Sequence, residues 1–264
     1  VKGKDRIKKM KKTIKSCFVI LLCSLFLVSW GFSSDNSMSK FSIELELGPA
    51  WQSRNNVQIP NDQTGTRFSL IDLLDHGPYP SGRLYINWNI KNRHYLRLLL
   101  APLSISESKI IDYPIRFEGE YFEPGLLTQG TYKFNSWRVS YRYRFFRGKH
   151  FVWWIGFTGK IRDAKIELQQ QNLISRKTDI GFVPLLHISG IYGFSEKWKF
   201  VWDLDALAGG PGRAEDLSLK LCYSLNRNWS FSGGYRTVEG GADVEEVYAF
   251  AWLHYGTFAV ELSF

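Results

Sequence analysis

From Phe41 onward the chain alternates apolar with polar residues, and it does so in ten separate runs. A period of two sends successive side chains to opposite faces of a strand, so each run has one apolar and one wet face. FSIELELG sets Phe41, Ile43, Leu45 and Leu47 against Ser42, Glu44 and Glu46. SGRLYINWNI aligns Leu84, Ile86, Trp88 and Ile90, with Arg83 on the other side, and YLRLLLA aligns Leu96, Leu98 and Leu100 against Arg97. The clearest run places Trp137, Val139, Tyr141, Tyr143 and Phe145 opposite Ser136, Arg138, Ser140, Arg142 and Arg144. In the fifth, Trp153, Ile155, Phe157 and Ile161 oppose Thr158, Lys160 and Arg162; in the sixth, Phe182, Leu186, Ile188 and Tyr192 oppose His187 and Ser189. Phe200, Trp202, Leu204 and Ala206 then face away from Lys199, Asp203 and Asp205, and Leu217, Leu219, Leu221 and Tyr223 from Asp216, Ser218 and Lys220. The last two runs set Phe231, Gly233 and Tyr235 against Ser230, Ser232 and Arg236, and Phe258, Val260, Leu262 and Phe264 against Glu261.

A soluble sandwich also has one dry and one wet face, but its dry face is seldom so aromatic. Lipid outside and charge inside accounts for both faces. The expected fold is therefore all-β, a closed antiparallel transmembrane β-barrel of ten strands, with eight or twelve as alternatives.

The connections alternate in length, as such a barrel requires. KNRH (91–94), RGKH (147–150), SEK (195–197) and NRN (226–228) are short polar turns, whereas 52–80, 104–130, 163–179, 208–215 and 239–246 are longer or glycine-rich links. Short turns belong in the periplasm and long loops outside, which puts both termini in the periplasm. Trp88, Tyr95, Phe145, Phe151, Trp153, Tyr192, Phe194, Trp198, Tyr223 and Trp229 lie near the short turns and are expected to form an interfacial girdle. Three places strain the pattern. Pro184 cannot donate to a ladder and predicts a bulge or break in its strand, His254 points to lipid if the last strand is regular, and IRFEGEYFEPG has room for an extra hairpin.

The N-terminal 33 residues read as a signal peptide: a basic head, the apolar run CFVILLCSLFLVSW, and small residues around Gly31 to Ser33. The expected start is Met10, with an upstream extension before it, and residues 34–40 form a polar spacer ahead of a barrel domain over 41–264. The head carries eight of the 34 basic residues and one of the 25 acidic ones, so most of the formal charge of +9 leaves with it. A nearly neutral remainder argues against a nucleic-acid partner. Cys17 and Cys23 lie in the signal, so Cys222 is left without a disulfide partner, and no clustered His/Cys spacing calls for a metal or other cofactor.

By the alternation, the lumen receives Arg83, Arg97, Arg138, Arg142, Arg144, Lys160, Arg162, Lys199, Lys220 and Arg236 against Glu44, Glu46, Asp203, Asp205, Asp216 and Glu261. Charges enclosed in low dielectric must be paired or hydrated. Because barrels of about eight strands are filled by side chains and open channels need about sixteen, a charged network is expected, with a narrow basic path for an anion as the alternative. If SEK is a tight turn, antiparallel pairing sets His187 opposite Asp205 and Ser189 opposite Asp203. These four are the candidate catalytic residues, since a serine, a histidine and an orienting carboxylate are the parts of an acyl-transfer site.

FAVELSF at the C-terminus resembles the closing signature of Gram-negative outer-membrane barrels, an aromatic last residue preceded by apolar residues at every second position: Phe264, Leu262, Val260 and Phe258. The resemblance implies an outer-membrane location, contact with outer-membrane lipid, and recognition of this strand by the barrel assembly machinery. Among ten-stranded members, the omptin proteases use an Asp pair and an Asp/His pair at the extracellular rim. Asp203 and Asp205 share a strand here, but no Asp-x-His partner is found, which argues against that activity. The role expected is structural, surface-interacting or that of a narrow pore, and the alternative is a hydrolase acting on lipid or peptide near the lumen. Oligomeric state is left open.

Overall fold

The computed structural model describes residues 39–91, 93–210 and 212–264; the signal-peptide reading and most of the spacer lie outside the described residues. The strands are β1 (Phe41–Gln58), β2 (Phe68–Ser69), β3 (Tyr79–Lys91), β4 (His94–Ala101), β5 (Ser104–Ile110), β6 (Ile115–Phe117), β7 (Glu120–Phe122), β8 (Leu127–Arg147), β9 (Phe151–Gln170), β10 (Leu173–Gly193), β11 (Trp198–Gly209), β12 (Gly212–Ser224), β13 (Trp229–Asp243) and β14 (Tyr248–Ser263), with a one-turn helix α1 (Ile71–Leu74). Each long strand pairs antiparallel with its neighbours, and β14 returns to pair with β1 from Ser42↔Ser263 to Gln58↔Tyr248. The sheet is closed. β4 and β5 pair with β8 in one unbroken register on either side of Pro102 and Leu103, so they count as one wall strand and the barrel has ten.

Parity assigns the faces as the sequence predicts. Leu47, Val139, Ile155, Phe157, Leu186, Leu221 and Phe258 stand exposed on the outside, while Glu46, Arg138, Thr158, His187, Asp205, Asp216 and Arg236 are buried inside. A run of exposed apolar side chains on a closed sheet is what hydrocarbon demands, because lipid accepts such side chains but leaves no backbone edge satisfied. On β9 the outward face changes after Ile161 to Asp163, Lys165 and Glu167, which marks one border of the apolar belt. Spanning needs about 9–11 residues. β8, β9 and β10 have 21, 20 and 21, so about half of each stands beyond the belt.

That overhang corrects the reading of residues 163–179, 208–215 and 239–246 as loops. They continue the ladders almost to the tips, down to pairs Leu173↔Gln170, Gly209↔Gly212 and Asp243↔Tyr248. Alternating charged and apolar residues such as DAKIELQ satisfy the two-fold pattern, but with the faces inverted, Asp163, Lys165 and Glu167 outward and Ile166 and Leu168 inward, which hides it from a search for lipid-facing strands. The extra hairpin exists, as β6 paired with β7.

Pro184 does not break β10, which runs through it with Pro184 opposite Gly159 of β9. The interruption falls on the other side. Gly193 donates its N–H to His150, so odd residues of β10 turn their N–H to β9 and even ones to β11. Pairing with β11 ends at Leu186↔Ala206, one hydrogen-bonded step before the proline, which has no N–H to offer. His254 does face outward on a regular β14, where it lies 2.5 Å from the Tyr235 hydroxyl and 2.8 Å from Ser53 Oγ. Ser53 sits where the register of β1 against β14 shifts, and the polar cluster occupies the belt's border beside Trp252. Trp88, Phe145, Phe194, Trp198 and Trp229 are exposed near the short turns as a girdle requires, but Tyr95 is not among them: it points inward and is buried.

Candidate functional site

The lumen is filled in two layers of opposite chemistry. At mid-barrel lies an ion-pair network. Asp216 is its hub, accepting from Arg236 Nη1 at 2.5 Å and Arg83 Nη1 at 3.3 Å, with Arg138 Nη2 at 2.7 Å. Arg138 also donates to Asp205 at 2.9 Å and, through Nε, to Ser136 Oγ at 2.8 Å. Glu46 accepts from Arg236 at 3.2 Å and pairs with Lys220, which reaches Glu44 at 2.5 Å. Arg97 reaches Asp203 at 2.5 Å, and Tyr85 accepts from Arg236 at 2.6 Å. The links tie strands far apart in sequence, β1 to β12 and β13, β4 to β11, and β8 to β11 and β12, so the network braces the barrel across its diameter.

Most of the expected lumen residues are brought together here, with five exceptions, of which Lys199 lies half-buried at the short-turn end of β11. Arg162 lies inward but above the belt, half exposed and paired with Asp179. Arg144 donates to the Tyr95 hydroxyl at 2.9 Å near the short-turn rim, and Glu261, at the same rim, accepts from Ser230 at 3.3 Å. Lys160 is buried without a carboxylate, its ammonium 4.6 Å from the centre of the Phe134 ring. Among the described residues, seven cations at the network's depth (Arg83, Arg97, Arg138, Arg142, Lys160, Lys220, Arg236) face five carboxylates (Glu44, Glu46, Asp203, Asp205, Asp216). Arg142 and Lys160 are the two without a carboxylate.

The candidate catalytic residues do assemble. His187 sits opposite Asp205 and Ser189 opposite Asp203, as the turn arithmetic requires. His187 Nδ1 is 2.7 Å from Asp205 Oδ1 and its Nε2 is 3.0 Å from Ser189 Oγ. Yet His187, Ser189 and Asp205 are 1%, 3% and 5% exposed, and Asp205 is shared with Arg138 and with Thr158, which donates at 2.8 Å. A nucleophile needs room beside it for a reacting carbonyl. The burial of this row is that of a satisfied core histidine. Spacing alone also missed a candidate cation cluster, since donor atoms of His187, Asp203 and Asp205 lie within 4.8 Å of one another. The donor set does not suit a divalent ion: Arg97 already holds one carboxylate and Arg138 the other.

Above the ions sits an apolar plug that the sequence reading placed in loops. Leu70, Leu73 and Leu74 around α1, with Phe68, Ile115, Phe117 and Phe122 from β2, β6 and β7, pack inward against Val57, Ile105, Leu168, Val238 and Leu253 of the wall. Gly130 of β8 admits α1: a Cβ there would stand 3.3 Å from Leu73 Cβ and from Leu74 Cδ2. The signal was present in FSLIDLL, too short and too isolated for a periodicity argument. Between plug and network lies a cavity of about 10 Å³, room for one water, lined by Ser81, Arg83, Ser136, Arg138 and Tyr255 among others.

No protein-family model matches the sequence, and no curated protein is significantly similar to it. Solved structures are similar in shape. The outer-membrane protease OmpT from Escherichia coli aligns at TM-score 0.51 and 9% identity over 89% of this chain and 99% of that one. Neisserial surface protein A aligns at 0.35 and 12% over 86% and 98%, and Ail, the attachment invasion locus protein of Yersinia pestis, at 0.36 and 10% over 83% and 99%. Identities this low speak to fold and not to activity. With its closed wall of ten antiparallel strands, its apolar belt and its charged interior, the chain has the fold of the Gram-negative outer-membrane β-barrels.

Proposed function

We propose that the protein works from its outer surface and not through its lumen: an outer-membrane anchor, both termini periplasmic, that holds the overhanging sheet of β5, β8, β9 and β10 above the bilayer. One observation carries this reading, the closure of the lumen by an ion-paired layer and an apolar plug stacked on each other. The wall supports the same reading, since these strands rise beyond the apolar belt and the outward face of β8 and β9 there bears Lys133, Asp163, Lys165 and Glu167. The orientation follows from the four short turns at one rim, because turns are short on the periplasmic side.

The test is electrical and topological. Reconstituted in planar bilayers, the protein should pass no ion current, and removal of 61–77 together with 112–124 should leave it closed, because the ion-paired layer on the wall strands remains. A Lys165→Cys variant should react with a membrane-impermeant maleimide on intact cells. Steady conductance from the intact chain, or labelling only after the outer membrane is broken, would overturn the proposal. A second reading, a hydrolase, draws on the Ser189, His187 and Asp205 row; ester or peptide cleavage by the purified barrel that Ser189→Ala abolishes would establish it.

A further inference from the structure

The short-turn end of the lumen contains donors without acceptors. Arg142 and Trp154 are 9% and 4% exposed, and neither Arg142 Nε nor the Trp154 indole N–H has a hydrogen-bond partner. They are not scattered. Arg142 is paired across β8 and β9 with Gly156, and Trp154 with Arg144, so the two side chains are diagonal neighbours on one inward face, within reach of each other. On the other flank Tyr95 of β4 stands opposite Arg142 and packs edge-on against Trp154, with ring centres 5.9 Å apart.

A second guanidinium is drawn to the same place. Arg97 Nε and Arg142 Nη2 both donate to the carboxamide oxygen of Asn87, each at 3.1 Å, and Asn87 is fixed by donating to Ser42 Oγ at 3.2 Å. Two cations thus converge on one neutral oxygen, with Asp203 2.5 Å from Arg97 and 3.9 Å from His187. Arginine cannot discharge itself by losing a proton, so the charge of Arg142 calls for hydration or a mobile anion. Arg97 and Asp203 keep 17% and 15% side-chain exposure, which leaves this level in touch with solvent although the other end is plugged.

We propose that the short-turn end of the lumen holds a small inorganic anion, of the chloride or phosphate class, between the Arg142 and Arg97 guanidiniums and the Trp154 indole N–H. The ligand completes the network: it supplies the acceptors that both orphan donors lack and the negative charge that the wall does not provide.

The full chain, refolded in lipid-free maltoside micelles, gives the test. At constant ionic strength, replacing sodium gluconate by sodium chloride or sodium phosphate should raise the urea midpoint of wild type with the logarithm of anion concentration. Arg142→Met should lose that dependence, whereas Arg176→Gln, on an exposed part of β10, should keep it. A wild type indifferent to either anion, or an Arg142→Met variant as responsive as wild type, overturns the proposal. Should that variant not fold, iodide quenching decides: wild type should show a saturable component that chloride or phosphate displaces and that Trp154→Phe lacks. Identical, purely collisional quenching in both chains refutes the site.

Discussion

Asp216 is the residue whose loss the network should feel most. It is 3% exposed and lies within ion-pair distance of three guanidiniums, those of Arg83, Arg138 and Arg236. Asp216→Asn keeps the shape and removes the charge. Glu46 can still serve Arg83 and Arg236, and Asp205 can still serve Arg138, so no guanidinium is stripped of every carboxylate. The layer nonetheless drops from five carboxylates to four against the same seven cations. Removing one partner from a buried pair costs about 3–5 kcal/mol, because the remaining charge stays in low dielectric. With a urea slope of about 2 kcal/mol/M, the midpoint should fall by roughly 2 M. The assay is urea unfolding of the refolded barrel in micelles, followed by tryptophan emission and by the heat-dependent gel shift of a closed barrel. A change within about 0.5 kcal/mol would place Asp216→Asn among ordinary surface substitutions and refute the claim that the ionic layer braces the wall.

Two further perturbations address the wall and the plug. Pro184→Val restores an N–H facing Ala208, and the β10–β11 ladder should extend by one hydrogen-bonded pair worth about 0.5–1.5 kcal/mol; slow exchange of the new amide at position 184 would confirm it, and exchange as free as in an open edge would count against the proline as the cause. Tyr113, in the segment before β6, donates to Asp72 beside α1 at 3.1 Å, and burial first, then this hydrogen bond, pushes its phenol up to about 12. A raised acid is bound more tightly in the folded state while protonated, so this contact should hold fully below the free phenol's value near 10 and be lost as pH rises through about 12. Proteolysis of residues 104–126 should become easier over that window, and Tyr113→Phe should remove the pH dependence; a Tyr113→Phe chain that loosens in parallel with wild type would exclude the phenol.

The wall was legible in the sequence because lipid on one side and charge on the other enforce a strict two-residue period. The same period gave the pairing of His187 with Asp205, since one tight turn fixes the register of both strands it joins. What it could not give is contact across the lumen. That Arg138 of β8 reaches Asp216 of β12 depends on barrel diameter and strand stagger, which no local pattern encodes. The plug was illegible for another reason: Leu70, Leu73 and Leu74 are buried by a wall that lies far from them in sequence, and a four-residue helix is below the length at which periodicity speaks. Tyr95 was misplaced because it stands next to a short turn, where sequence distance suggests the interface but parity sends the ring inside.

Glu44 and Glu46 belong to the first strand of the wall, and the cations they neutralise, Lys220 and Arg236, belong to β12 and β13 near its end. While the sheet is still open, Lys220 stands without Glu44 and Glu46, Arg236 has only Asp216 of the adjacent β12, and the two glutamates wait at the opposite edge. A seam between β1 and β14 that shut on a slipped register would carry Glu44 and Glu46 away from Lys220 and Arg236. Closure and neutralisation become one event, and electrostatics acts as a proofreading step for a fold whose first and last strands must find each other.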